Sequence, residues 1–475
     1  MRRVLIIIAW VTSGVAAVVA VAVMWAGSAP QTAYVDPLPE PPALSTRPGA
    51  FTFTVTPHSA LIDVPIAVLL ADLAPGQEVV LRAQTKDRTG RVFRSWARFH
   101  ADDDGRLDLS TVAPSDGSYK SVDASGLLWS MRADPDEPFV HSRNWTDREY
   151  QLSAETDTGR KVVDISRTYP WSQLDHQTIE HADFRAEMWQ PTGAGPYPAI
   201  IVMGGSSGAP SRIRSSLLAV RGFVVLNLLY LKTDPWPPEL IEIPIEYVAL
   251  AVDRLSAMDV VDGERIGIYG ASKGAELALL AASRDPRIKA VAVWAPTAIV
   301  MFGISFQHPF SVRSSWSADG NPVPFAAGVS NVTKLRNGVR ILAGRNVSFR
   351  RTYEEVFAHA PVESFIRVEN ISGPILLLGG TDDQMGPSTP MGDAVERRLK
   401  QRGFQYGVRN RAYEGAGHSM ALALWPGGGQ PSRFVGGGTP EANHLAGQAA
   451  WLEIRNLFTE VLVPSAGRDA ASPGS

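Results

Sequence analysis

The sequence contains no cysteine among its 475 residues. Disulfide bonds, thiolate metal sites and a cysteine nucleophile are therefore excluded. The formal net charge is only -3 and no block of like charges occurs, so the basic face that nucleic-acid binding requires is missing. No metal-ligand spacing such as H-E-x-x-H and no G-x-x-x-x-G-K-[ST] phosphate loop is present. The sequence thus predicts a protein without metal, cofactor or nucleic-acid partner.

A long apolar run opens the chain. Arg2 and Arg3 precede uncharged, mostly aliphatic residues over 4–29. A membrane-spanning helix needs about 20 apolar residues, whereas the apolar part of a secretory signal has roughly 7–15. The length predicts a single-pass membrane anchor over residues 1–29, with a cleavable signal peptide as the alternative because small residues close the run. The two arginines predict a cytoplasmic N-terminus and an extracytoplasmic catalytic domain.

The remaining chain divides by composition. Residues 30–50 are rich in proline, which predicts an extended linker. Short β-rich segments separated by turn residues over 51–164 predict a small all-β, immunoglobulin-like sandwich. Over 165–462, strand-like apolar runs alternate with amphipathic helical patterns, which predicts an α/β domain of the α/β-hydrolase type with a mostly parallel sheet. Residues 463–475 are predicted to form a flexible tail, and the segment near 300–350 is a candidate lid.

One motif within the α/β domain carries a specific chemistry. Gly270-Ala-Ser-Lys-Gly274 has the form G-x-S-x-G, between a predicted strand and an alanine-rich helix. That context predicts Ser272 as a nucleophile on a tight turn at a helix N-terminus, which favours a developing oxyanion. The backbone N–H of Lys273 and that of Gly205, in the glycine-rich loop after an earlier strand, are the predicted oxyanion donors.

The acid and the base follow in the chain order that this fold uses. Asp382 and Asp383 both follow a predicted strand, and Asp383 is favoured because it lies four residues before a proline. A carboxylate there can accept the second N–H of a histidine and fix its tautomer. His418 lies in a glycine-rich loop after the next strand, so it is the predicted base, with His444 as the alternative.

Several segments resemble the acyl-CoA thioesterase / bile acid-CoA:amino acid N-acyltransferase family from about residue 51 to residue 460. In the first half they include Leu73-Ala-Pro-Gly-Gln-Glu-Val-Val-Leu-Arg-Ala83 and Gly126-Leu-Leu-Trp-Ser-Met131. In the second half they include Ala271-Ser-Lys-Gly-Ala-Glu-Leu-Ala-Leu279, Gly380-Thr-Asp-Asp383 and Gly437-Gly-Thr-Pro-Glu-Ala-Asn443. The family's nucleophile, acid and base correspond to Ser272, Asp383 and His418.

The resemblance implies a serine hydrolase that cleaves acyl-CoA or another acyl ester in lipid metabolism. The alternatives are an envelope carboxylesterase or lipid acyltransferase with the same triad, and a membrane-tethered binding protein. Amino-acid-conjugating members of the family use a cysteine nucleophile, so Ser272 implies that water is the acyl acceptor. Two features depart from the family: the predicted anchor, and Gly386 where a tryptophan is common.

Overall fold

The computed structural model describes residues 41–464 apart from 42, 89, 134–145, 182–183, 232–238, 306–311, 344 and 420–435. The predicted anchor therefore lies outside the described residues, as do most of the linker and of the tail. Within the part that is described, no helix is both long and apolar enough to cross a bilayer. The membrane attachment stays a prediction.

The first half of the chain forms β-sheets. Its strands in chain order are β1 Thr52–Thr56, β2 Ser59–Leu61, β3 Ala67–Ala71, β4 Glu78–Lys86, β5 Val92–His100, β6 Leu107–Asp108, β7 Asp116–Gly117, β8 Arg132–Ala133, β9 Arg148–Glu155 and β10 Arg160–Thr168. One sheet has the order β1-β3-β6, and the other has the order β2-β10-β9-β4-β5-β7 with β8 beside β5. A short helix, α1 (Gly126–Trp129), packs on β4 and β5.

Alternating side chains explain why these strands pair as two sheets. Val55, Val68, Leu81 and Phe99, which lie on β1, β3, β4 and β5, are buried in one hydrophobic cluster. A strand presents successive side chains to opposite faces, so one face of each sheet closes this core. Strand β10 continues beyond residue 164, where the sequence puts the end of the sandwich.

The second half of the chain alternates strands with helices. Its strands are β11 Leu174–His181, β12 Phe184–Pro191, β13 Tyr197–Met203, β14 Val224–Leu228, β15 Ile243–Pro244, β16 Val261–Ala271, β17 Ile288–Trp294, β18 Trp316–Ala318, β19 Asn321–Pro322, β20 Ile375–Gly380 and β21 Val408–Tyr413. Its α-helices are α2 Arg212–Ala219, α3 Glu246–Ser256, α4 Lys273–Ala282, α5 Asn331–Leu342, α6 Arg350–Ala358, α7 Ser388–Gln401 and α8 Pro440–Leu462.

An eight-stranded sheet organises this half, in the order β11-β12-β14-β13-β16-β17-β20-β21. Strand β12 is antiparallel to both of its neighbours, and the strands from β14 to β21 are parallel. Helices α2 and α8 pack on one face, whereas α3, α4 and α7 pack on the other. The mixed α/β fold expected from the alternating pattern is confirmed. Parallel strands end at a common edge, where loops collect functional side chains.

The sandwich and the α/β half share one hydrophobic cluster. Core residues of the sandwich, such as Phe51 and Leu127, join residues of α2 and α8 in the same buried group. A buried carboxylate, Asp63, reinforces the contact: it accepts a hydrogen bond from Trp451 Nε1 at 2.7 Å and pairs with Arg221 at 2.8 Å. Helix α8 therefore lies between the sheet and the sandwich, and it contacts both.

Candidate active site

The turn between β16 and α4 holds Ser272 in a strained backbone conformation. Ser272 has φ 56° and ψ -120°, a region that residues with a side chain rarely adopt. Flanking glycines make the turn possible: a Cβ on Gly270 would lie 2.1 Å from the carbonyl oxygen of Gly274, and a Cβ on Gly274 would lie 2.3 Å from that of Gly204. The backbone therefore presents the hydroxyl of Ser272 at the sheet edge.

His418 reaches this hydroxyl from the loop after β21. Its Nε2 lies 3.0 Å from Ser272 Oγ, within hydrogen-bond distance. The indole Nε1 of Trp294 donates to the His418 carbonyl oxygen at 2.7 Å, and the backbone N–H of His418 donates to Gly436 at 2.8 Å. These two bonds fix the backbone of the histidine beside the nucleophile.

Asp383 accepts a hydrogen bond from the other ring nitrogen of His418, Nδ1. Its Oδ2 and Oδ1 lie 2.9 and 3.1 Å from His418 Nδ1, and the residue is 1% exposed. The backbone N–H groups of Met385 and Gly386 also donate to Asp383 Oδ1, at 2.9 and 3.1 Å. Asp382 turns the other way: its Oδ2 accepts from the Gly438 N–H at 2.8 Å and its Oδ1 accepts from Gln384 Nε2 at 2.6 Å.

His444, the alternative base, lies on α8 away from Ser272. It is 2% exposed and stacks on Trp129 of the sandwich with ring centroids 4.7 Å apart. Its Nε2 lies 2.6 Å from Gln448 Nε2 and 3.7 Å from Asp123 Oδ2. Burial lowers the pKa of His444 from its usual value of 6.5 to about 3. The structure brings His418, and not His444, to the serine.

The glycine-rich loop after β13 lies next to the nucleophile. A Cβ on Gly205 would lie 3.3 Å from Ser272 Cβ, so the loop approaches the serine closely only without a side chain. Tyr230 Oη lies 2.6 and 2.7 Å from the carbonyl oxygens of Gly204 and Gly205. Burial raises the pKa of Tyr230, which keeps its hydroxyl protonated as the donor to this loop.

A buried ion pair behind Ser272 was not predicted from the sequence. Lys273 Nζ donates to Glu276 Oε2 at 3.0 Å, to Ser315 Oγ at 2.7 Å and to the Phe302 carbonyl at 3.2 Å. The first and largest effect on the Lys273 pKa is burial, which lowers it, while Glu276 raises it. An ammonium has three donors, and these three hydrogen bonds use all of them.

Glu276 binds residues of the candidate lid, near 300–350, to helix α4. Its Oε1 accepts hydrogen bonds from the Met301 N–H and from Trp316 Nε1, both at 2.8 Å. The sequence signal that could have revealed this pair is a lysine and a glutamate three residues apart in an otherwise apolar helix. The candidate lid therefore has its first residues tied to α4.

A cavity opens directly above the three side chains. Its volume is about 590 Å³ including the open mouth, and Ser206, Ser272, Asp383 and His418 are among its lining residues. Most of the other walls are apolar, formed by Ala295, Pro296, Met301, Ile304, Tyr353, Met385, Pro387 and Met391. Gly386 also lines it, and the nearest atom to a Cβ there would be Tyr353 Cδ2 at 4.0 Å. The cavity suits an apolar chain attached to a group that reacts at Ser272.

The site combines a serine on a strand-to-helix turn with a buried acid and then a histidine later in the chain. It lies on a mostly parallel sheet with helices on both faces, and together these features define the α/β-hydrolase class. Two family profiles cover most of this chain. Residues 63–180 match the acyl-CoA thioester hydrolase/BAAT N-terminal region, and residues 243–464 match the BAAT / acyl-CoA thioester hydrolase C-terminal region. The chain belongs to this family of enzymes, as the resemblance in its sequence indicated.

Characterised relatives span nearly the whole of both halves. Acyl-coenzyme A thioesterase 5 of Mus musculus is 35% identical over 420 residues, which cover 85% of this chain and 94% of the relative. Acyl-coenzyme A thioesterase 1 of Mus musculus is 29% identical over 84% of this chain and 94% of its own length. Acyl-coenzyme A amino acid N-acyltransferase 2 of Mus musculus is 27% identical over 87% of this chain and 98% of its own length.

Solved structures with detectable similarity are more distant. A dienelactone hydrolase-like promiscuous phosphotriesterase from metagenomic libraries has 15% identity and a TM-score of 0.39, covering 61% of this chain and 99% of that one. A Mycobacterium tuberculosis puromycin-hydrolyzing peptidase has 14% identity and a TM-score of 0.40, covering 80% of this chain and 53% of that one.

Proposed function

We propose that this enzyme hydrolyses acyl thioesters of the coenzyme A type through an acyl-Ser272 intermediate. The observation that carries the proposal is the contact of Ser272 Oγ with His418 Nε2 at 3.0 Å and of His418 Nδ1 with Asp383 at 2.9 Å, at the base of a largely apolar cavity. Similarity to acyl-coenzyme A thioesterases over both halves supports the thioester as the bond that is cleaved.

The first half-reaction transfers the acyl group to the enzyme. His418 Nε2 takes the proton of Ser272 Oγ as the oxygen attacks the thioester carbonyl, and the negative charge moves to the carbonyl oxygen. The backbone N–H groups of Lys273 and Gly205 are the proposed donors to that oxyanion. When the C–S bond breaks, the thiol leaves with the proton from His418, while Asp383 stabilises the imidazolium.

The second half-reaction releases the acid. Water gives a proton to His418 Nε2 and attacks the acyl-Ser272 carbonyl, and collapse of the second oxyanion returns that proton to Ser272 Oγ. Both half-reactions use the same oxyanion donors and the same base, so one set of residues serves acyl transfer to Ser272 and then to water. The product is a free carboxylic acid.

Variants of the reacting groups test the mechanism. We expect Ser272→Ala and His418→Ala each to lower kcat by a factor of about 10³ or more, and the double variant to be scarcely worse, because these groups act as a unit. The measurement is hydrolysis of acyl-CoAs and of simple aryl esters by residues 30–475. Substantial acyl-CoA turnover by Ser272→Ala would rule out the acyl-serine route.

Water is the proposed acyl acceptor. An acyl-serine is an oxygen ester, and an amine must compete for it with water at about 55 M. The test is product analysis with glycine and taurine present at high concentration. Free fatty acid as the main product is expected, whereas a predominance of N-acyl amino acid would make the enzyme a transferase.

An oxygen-ester substrate outside the cytoplasm is the second candidate. The observation that favours it is the apolar run over residues 4–29 behind Arg2 and Arg3, which is the basis for a membrane-anchored enzyme with its catalytic domain outside. Protease added to spheroplasts of an expressing bacterium is expected to degrade the catalytic domain. Protection until lysis would reverse the topology and favour cytoplasmic acyl-CoA.

A further inference from the structure

Two backbone segments lie against each other beside the proposed base. The His418 N–H donates to the Gly436 carbonyl at 2.8 Å, and a Cβ on Gly417 would lie 2.1 Å from the Gly437 carbonyl oxygen. Loop backbone opens locally at a low free-energy cost unless other groups hold it. The position of the His418 imidazole therefore depends on the side chains that bond to both segments.

Asn443, in the first turn of α8, joins them. Its Oδ1 accepts from the Gly417 N–H at 2.6 Å, and its Nδ2 donates to the Gly437 carbonyl at 3.2 Å. One planar amide thus bonds both segments, with Gly417 being the residue directly before His418. The turn itself is capped, since Thr439 Oγ1 accepts from the Ala442 N–H at 3.1 Å.

The sandwich holds the same helical turn from the other side. Glu441 Oε1 accepts hydrogen bonds from the backbone N–H groups of Ser121 and Lys120, at 2.6 and 3.2 Å. His444 packs face to face on Trp129 with ring centroids 4.7 Å apart. Contacts with the sandwich therefore flank Asn443 two residues before it and one residue after it.

We propose that Asn443 is a positioning residue for His418, and that the sandwich supplies the fixed surface that holds the turn carrying it. The inference rests on the proposed function in that His418 is taken as the base. A displacement of a reacting group by about 1 Å can cost around 100-fold in rate, so a rigid support for a loop histidine has a direct effect on catalysis. It also gives the non-catalytic sandwich a part in the reaction.

The first test replaces the amide of Asn443. We expect Asn443→Leu to slow covalent labelling of Ser272 by a fluorophosphonate about tenfold or more and to lower kcat similarly, with KM unchanged, because Asn443 is outside the cavity wall. Asn443→Asp keeps an acceptor for the Gly417 N–H but puts an acceptor in place of the donor to Gly437, so its activity should lie between those of the wild type and Asn443→Leu. Asn456→Ala, on an exposed position of the same helix, is the control.

The second test addresses the sandwich. Glu441→Ala removes the acceptor for the Lys120 and Ser121 N–H groups, and we expect it to lower kcat severalfold without changing KM. Glu441→Gln keeps an acceptor oxygen at that position and should restore most of the lost rate. Thermal unfolding of each variant separates a positioning effect from simple loss of the folded enzyme.

Specific outcomes would overturn the proposal. Labelling rates of Asn443→Leu and Asn443→Asp that equal the wild-type rate would contradict it, and so would losses confined to KM or proportional to lost stability. The labelling assay requires no thioester. If the wild-type enzyme is labelled but does not hydrolyse acyl-CoA, the proposed substrate is wrong while the role of Asn443 is still tested.

Discussion

Asp382 and Asp383 are adjacent in sequence, but their carboxylates bond to different parts of the site. Asp383 is buried against the His418 imidazole, whereas Asp382 bonds the Gly438 N–H and the Gln384 side chain. An asparagine at position 382 can still accept a hydrogen bond from the Gly438 N–H. An asparagine at position 383 would instead favour the wrong tautomer of His418.

The two aspartates should therefore respond differently to the same substitution. We expect Asp383→Asn to lower kcat by a factor of about 10³–10⁴, as loss of the orienting carboxylate does in other triads. Asp382→Asn should lose less than about tenfold, because one acceptor oxygen remains. Steady-state kinetics on one acyl-CoA compare the two variants, and a larger loss for Asp382→Asn would reassign the acid.

The Lys273–Glu276 pair gives a prediction about stability. Its side chains are 7% and 2% exposed, and removing one partner leaves the other charge buried. We expect Glu276→Leu to lower the free energy of unfolding by roughly 3–5 kcal/mol, with partial recovery in the Lys273→Met/Glu276→Leu double variant. Denaturant unfolding of both variants measures this. A double variant less stable than Glu276→Leu would show that the two side chains do not act as a pair.

At the scale of elements, the burial of His444 on α8 makes the docking of this helix sensitive to acid. In the folded protein, burial lowers the pKa of His444 to about 3 from the usual histidine value of 6.5. The nearest described carboxylate is Asp123, whose pKa is itself raised by burial. Between pH 6.5 and about pH 3, His444 binds a proton in the unfolded chain but not in the folded chain. The free energy of unfolding therefore falls as the pH falls through this range.

The variant His444→Phe keeps a ring against Trp129 and cannot titrate. Between about pH 7 and about pH 5, the wild type should lose roughly 2 kcal/mol more stability than His444→Phe does, from the difference between the two pKa values. Denaturant unfolding at both pH values measures this difference. Parallel losses in the two proteins would assign the acid sensitivity to other groups.

The sequence predicted some elements better than others, for physical reasons. Strands β13, β17 and β20 are buried on both faces and appear as short apolar runs, so their positions were predictable. Helix α5 was not predicted, because the stretch over 300–350 has little apolar periodicity and many Gly, Ser and Asn residues. It is held by hydrogen bonds from Thr333 and Asn337 to Glu355 and Thr352 of α6, which no local pattern encodes.

The candidate site divides in the same way. Ser272 and His418 lie in glycine-rich turns whose backbone requirements are visible in the sequence, and Asp383 follows a strand at a recognisable distance from a proline. The roles of Asp382, Asn443 and Glu276 depend on which backbone groups come near them after folding. Three of their partners, Gly438, Gly417 and Met301, lie far away in sequence, so residue type and spacing carry no signal for those contacts.

At the scale of the whole molecule, Asp63 joins the sandwich to the α/β half. Its side chain is 1% exposed and lies between Arg221 at 2.8 Å and Arg455 at 3.6 Å. We expect Asp63→Ala to lower the free energy of unfolding by roughly 3–5 kcal/mol, because it leaves two guanidinium groups close together without their counter-charge.

Thermal unfolding followed by two probes measures this effect. One cooperative transition that shifts to lower temperature is expected, because the two halves share a hydrophobic cluster. Separate transitions for the two halves, with only one shifted, would show that they are independent units. Asp164→Ala, at an exposed position on β10, serves as the matched control.

Helix α8 is the last helix to be synthesised in the described part of the chain, and it inserts between two surfaces made long before it. On the ribosome, Ser272, Asp383 and His418 all emerge ahead of the turn that carries Asn443. Folding during translation proceeds from the N-terminus, so the histidine loop can gain the support of Asn443 only after α8 has been synthesised. We expect a chain that ends before α8 to contain Ser272, Asp383 and His418 and still to react far more slowly than a chain that includes α8, which would couple the onset of activity to the synthesis of this helix.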